Sequence, residues 1–101
     1  MARVGEAEGR RDMIELLGRA SAAFEQKRWQ SARNLYRDAL ELIELRSLDV
    51  GEMLPQTMYN IAITYYNERE YSEARNQLLR LQKTFPSYEP ELVSDMLRKI
   101  P

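Results

Sequence analysis

Cysteine and histidine are both absent from the 101 residues. Without cysteine there is no disulfide framework, no thiolate zinc site and no thiol nucleophile. Without histidine the commonest general base and the commonest transition-metal ligand are missing together. Glycine and proline are scarce, four of each, and no glycine-rich phosphate loop, nucleophile elbow or dinucleotide fingerprint can be traced. Apolar runs are short, far below the roughly 20 residues that cross a bilayer. The opening stretch, residues 1–11, lacks the apolar core of a secretory signal, so a cytoplasmic location is expected. An excess of one charge is lacking too: 15 Lys and Arg stand against 16 Asp and Glu, a net charge of −1. Proteins that track nucleic-acid phosphates usually show a basic excess, and so do polybasic membrane anchors. A non-enzyme with no cofactor is the expectation.

What remains is an ordinary globular composition, 44% apolar and 31% charged. Within it the chain repeats itself. Ala32-Arg33-Asn34 recurs as Ala74-Arg75-Asn76, 42 residues on, and the same offset relates Ala20 to Ala62, Phe24 to Tyr66, Lys27 to Arg69 and Trp29 to Tyr71. Small residues match small ones, aromatics match aromatics, and the basic position stays basic. Two copies of one structural unit account for this.

Each copy reads as two helices. In the first, Asp12 with Glu15 three residues later resembles a capping box, and residues 1–11 before it read as a loose segment. Ile14, Leu17, Ala20 and Phe24 then recur at helical spacing, with Leu16 and Ala23 beside them. A turn at Gln26-Lys27-Arg28 leads to a helix running from Trp29 to about Leu48, ended by Asp49-Val50-Gly51 through glycine's left-handed geometry. The second copy begins near Leu54, with Pro55 tolerated in its first turn. Asn67-Glu68-Arg69-Glu70 introduces the helix carrying Tyr71, Ala74, Leu78 and Leu81, and Phe85-Pro86-Ser87 stops it. A last helix, about 90–100, sets Leu92, Val93, Met96, Leu97 and Ile100 on one stripe. No segment alternates with period two, so the fold class is all-α.

The spacing of Leu16, Ala20, Phe24, Trp29, Ala32, Tyr36, Ala39 and Leu40 resembles the tetratricopeptide repeat (TPR). So does that of Met58, Ile61, Ala62, Tyr65, Tyr71, Ala74, Leu78 and Pro86. Arg19 and Ala23 depart from the family pattern, as does Leu81. The period of 42 exceeds the family's usual figure of about 34, which implies lengthened helices. The resemblance implies a short right-handed α-solenoid of two antiparallel helix pairs, about 12–50 and 54–87, closed by a C-terminal capping helix, together one domain over 12–101. It also implies a partner-binding groove of Leu17, Ser21, Phe24 and Glu25 from the first copy, with Gln56, Tyr59, Asn60, Ile63, Tyr66 and Asn67 from the second, and Val93 and Leu97 from the last helix. Aromatics beside amides suit a peptide or helix of another protein. One branch of the family grips the carboxylates of chaperone tails. Asn60 fits that clamp, but Leu17 and Ser21 stand where it needs Lys and Asn, so the clamp is absent.

The resemblance thus implies a non-enzymatic adaptor or scaffold. An assembly or secretion chaperone that shields an apolar helix is the alternative, and self-association as a homodimer through the last helix is another. Arg33, Arg37 and Glu41 read as a solvated row on the second helix. Glu68, Glu70 and Glu73 lack the spacing of a calcium loop.

Overall fold

A computed structural model describes residues 4–101 of the chain, with side-chain surroundings from residue 7 onward. Among the described residues there are five helices and no strand: α1 (Val4–Glu25), α2 (Trp29–Leu45), α3 (Met53–Asn67), α4 (Tyr71–Thr84) and α5 (Pro90–Lys99). The chain divides into two compact units, the first ending at Gly51 and the second beginning at Glu52. In the first unit α1 packs on α2; in the second α3 packs on α4, and α4 on α5.

The first unit is built around Met13, Ala39, Ile43 and Leu48, with Leu16, Leu17, Leu40, Leu42 and Val50 packed against them. This corrects the expected stripe of α1 by one residue. Met13 is 1% exposed while Ile14 is 57% exposed: a one-residue step turns a helix through about 100°, which here carries Ile14 off the edge of the buried face. Ala20 and Ala32 in the first unit, and Ala62 and Ala74 in the second, are fully buried. Short side chains at such points let packed helices approach closely.

α1 also starts earlier than expected. Helix reaches back to Val4, so Asp12 lies inside it and caps nothing, and residues 4–11 are helix rather than a loose segment. Residues 1–3 of that segment lie outside the described residues. Two contacts anchor the extension. Arg10 Nη1 donates to the main-chain oxygen of Asp49 at 3.2 Å. Gly9 is buried beneath the Arg46 side chain, where a Cβ would come within 3.1 Å of Arg46 Cγ. Within a segment expected to be loose, this glycine is a close-approach point.

The two hairpin turns are the same turn, 42 residues apart. Lys27 and Arg69 hold the left-handed conformation, at φ 61° and 63°. The amide of Lys27 donates to Phe24 O at 2.9 Å and that of Arg28 to Ala23 O at 2.9 Å; at the second turn, Arg69 donates to Tyr66 O at 3.0 Å and Glu70 to Tyr65 O at 2.9 Å. This pair of bonds is the Schellman arrangement, which satisfies the last carbonyls of a helix. The end of α2 uses it as well: Ser47, at φ 50°, donates to Glu44 O, and Leu48 donates to Ile43 O. Ser47 therefore ends the helix three residues short of the expected Leu48, and Gly51 (φ 55°) only shapes the connection that follows. Ile43 and Leu48, the residues that flank this cap, are buried in one cluster.

The second unit follows its expected outline. Pro55 sits in the first turn of α3, and the Phe85 amide closes α4 on Leu81 O at 2.8 Å. Leu78 and Leu81 of α4 and Val93 of α5 are fully buried, and Met96 and Ile100, in and just after α5, are buried. Arg75 Nη2 donates to the main-chain oxygen of Pro101 at 2.9 Å, tying the segment after α5 back to α4. Thr64, fully buried, donates its hydroxyl to Ile61 O at 2.6 Å, so its burial leaves no unpaired polar atom. No described helix is long and apolar enough to cross a membrane.

Candidate functional site

The residues expected to meet a partner fall into two sets by their surroundings. Phe24 packs edge-on against Trp29 at a centroid distance of 5.0 Å and against Tyr36 at 6.5 Å. Tyr66 packs on Tyr71 at 5.7 Å in the equivalent place. These rings close the ends of the two hairpins, which gives them a packing role. Leu17 lies against the first unit's core, and Val93 is buried at 1% exposure, facing inward.

Leu17, Phe24 and Tyr66 stay half-buried all the same, and the second set lies on exposed or half-buried helix faces. On α1 these are Ser21 and Glu25, both exposed. On α3 they are Gln56 and Asn67, exposed, with Tyr59, Asn60 and Ile63 half-buried. Positions 56, 59, 60, 63 and 67 recur every three to four residues, so they form one face of α3. Leu97 of α5 is half-buried as well. Tyr59 has its phenol pKa raised above the ordinary 10.0, first by burial and then by the nearby Tyr88. Tyr88 is raised too, by burial, then by Glu89 and Glu52. Both phenols stay protonated at neutral pH and keep an O–H donor, and the Asn60 side chain on the same face of α3 as Tyr59 carries an amide carbonyl and N–H2.

One surface residue escaped the sequence reading. Ile14 precedes Leu17 and Ser21 on the same side of α1 and is more than half exposed, next to Gly18, whose missing side chain leaves open space. Helical period alone counts it among core residues; the clue was the neighbouring Met13, which competes for the same inward position. Arg33 departs the other way. Expected on a solvated row, it is 8% exposed, whereas Arg37 and Glu41 are exposed.

Among the described residues no three Asp or Glu side chains gather in a way that could hold a metal ion. Comparison with protein-family models, with characterised proteins and with solved structures gave no match.

Proposed function

We propose that the chain is a protein–protein interaction module whose two hairpins are successive TPR-like repeats of a short right-handed α-solenoid, with α5 as its closing helix. In this reading a peptide or helix of a partner lies along the first helix of each pair. It meets Ser21, Glu25 and Ile14 on α1, and Gln56, Tyr59, Asn60, Ile63 and Asn67 on α3. The observation that carries the proposal is the 42-residue repeat of sequence and turn geometry, hydrogen bond for hydrogen bond. Duplicated helical hairpins make extended surfaces rather than enclosed reaction sites. The face of α3 supports it further, since half-buried Tyr and Ile supply apolar area at small entropic cost while amides pair with a peptide backbone.

A selection of random peptides displayed on phage tests this. Peptides are enriched on the wild-type chain and counter-selected on a Tyr59→Ala, Asn60→Ala, Asn67→Ala variant of matched helicity. A sequence family that binds the wild type and loses at least tenfold on the variant is expected. Peptides that bind both proteins equally would place recognition elsewhere and overturn the assignment of this face.

A further inference from the structure

Comparing the two copies at equivalent positions exposes a difference on the other side of α1. Copy two carries Ile61 and Tyr65, both buried, 3% and 8% exposed. Copy one has Arg19 and Ala23 at those positions. The tyrosine ring and the isoleucine have no counterpart, and the first unit is open there. A crevice of about 470 Å³ lies between α1 and α2, lined by Arg19, Ala22, Ala23, Gln26, Arg28, Ser31 and Leu35. Buried Ala23 and half-buried Leu35 form a small apolar floor beside exposed Ala22, and the exposed Arg19 and Arg28 give the rim two guanidinium groups and no carboxylate. The charge also differs between copies, because Arg28 of the rim is matched by Glu70, and Ser31 by Glu73. At about 100° per residue, positions 19, 22 and 26 are centred about 130° around α1 from 17, 21 and 25, a little over a third of a turn. The crevice is therefore distinct from the surface assigned above.

We propose that this crevice is a docking site for an acidic amphipathic helix of a partner protein, which inserts one aromatic side chain over Ala23 and sets carboxylates against Arg19 and Arg28. The aromatic anchor follows from copy two, where the chain fills the matching position with a buried tyrosine of its own. A pocket of this volume accommodates such a ring. The carboxylates follow from the rim, where two arginines without acidic neighbours in the lining select against a basic segment. Acidic groups seven residues apart on the incoming helix, about 10 Å, place one carboxylate on either side of the anchoring ring.

The test uses the full chain and a fluorescein-labelled 16-residue helical peptide with a central Phe, and Glu three residues before and four after it. Saturable binding is expected, weakened at least tenfold by Phe→Ala or by Glu→Gln in the peptide, and weakened by added salt. Ala23→Tyr, which copies the residue of the second repeat into the first, should keep the helicity and abolish binding. The Arg19→Glu, Arg28→Glu variant should lose the Glu peptide and gain its Lys counterpart. That pair of exposed substitutions decides the matter if Ala23→Tyr fails to fold. Absence of saturable binding, equal binding of the Glu and Gln peptides, or undiminished binding by the charge-reversed variant would each overturn the proposal. So would a peptide-dependent doubling of mass that shows two copies of this chain pairing instead.

Discussion

The two hairpin turns place lysine and arginine where the backbone favours glycine, and this gives a quantitative prediction. Lys27 and Arg69 are exposed and sit at φ 61° and 63°. For an L-residue with a Cβ, the left-handed region costs about 1–2 kcal/mol. Glycine avoids that cost but loses about 0.5–1 kcal/mol more through its freer unfolded chain. Lys27→Gly and Arg69→Gly should therefore each stabilise the fold by about 0.5–1 kcal/mol. The two turns belong to different hairpins and share no hydrogen-bond partner, so the double variant should approach the sum. Urea denaturation followed by circular dichroism measures this at unchanged m-value. For a chain of this size each kcal/mol corresponds to about 4–8 °C in Tm. Gln26→Gly is the control: that residue lies just before the left-handed position, so the same substitution there should destabilise. Neutral or destabilising effects at both 27 and 69 would refute the Schellman assignment, and with it the claim that the two turns are equivalent.

Three further outcomes follow from the packing and the titrating groups. Ala62 is fully buried, so Ala62→Leu should cost about 1–3 kcal/mol through overpacking, and an unchanged melting midpoint would contradict the tight site. Gly18 has open space around it within the exposed face of α1, so Gly18→Ala should stabilise by about 0.8–1 kcal/mol from helix propensity alone. A loss of stability in thermal melts would point to a contact at that position. Tyr59 and Tyr88 have raised pKa values, so above pH 10 the folded state holds more protons than the unfolded state. Stability should be insensitive to these groups below that pH and fall as pH rises from about 10 through the folded pKa values. The Tyr59→Phe, Tyr88→Phe variant should flatten the alkaline slope of urea midpoints; an identical slope would rule out these phenols as its cause.

Helix number, pairing and the end of α4 were legible because period, proline placement and the 42-residue offset all agreed. The aromatic pairs Phe24–Trp29 and Tyr66–Tyr71 were visible as matched residues before their edge-on packing was known. Three things were not legible, each for a physical reason. Ile14 and Met13 are both apolar and adjacent, and hydrophobic period does not choose between them; the fit against Ala39, Ile43 and Leu48 does. Ser47 carries no glycine signature, yet it ends α2, because two hydrogen bonds and the burial of Ile43 and Leu48 hold its left-handed backbone. Gly9, inside the stretch expected to be loose, lies under Arg46 in a helix that reaches back to Val4. Of the candidate surface, Val93 is buried, whereas Phe24 and Tyr66 are half-buried, like Tyr59, Asn60 and Ile63, and also pack edge-on against Trp29 and Tyr71. Aromatic and β-branched residues serve a core and a binding face with the same chemistry, and sequence alone does not separate the two uses. The crevice beside Arg19 and Ala23 coincides with two of the departures from the repeat pattern, so it was present in the sequence as an irregularity without a shape.

The most direct test of the interaction-module reading is amide chemical-shift mapping of the ¹⁵N-labelled chain titrated with the best peptide from the display selection. Saturable shifts are expected, concentrated at Ile14, Ser21 and Glu25 of α1 and at Gln56, Tyr59, Asn60, Ile63 and Asn67 of α3. Shifts confined to the outer face of α5, or spread weakly over the whole chain without saturation, would contradict it.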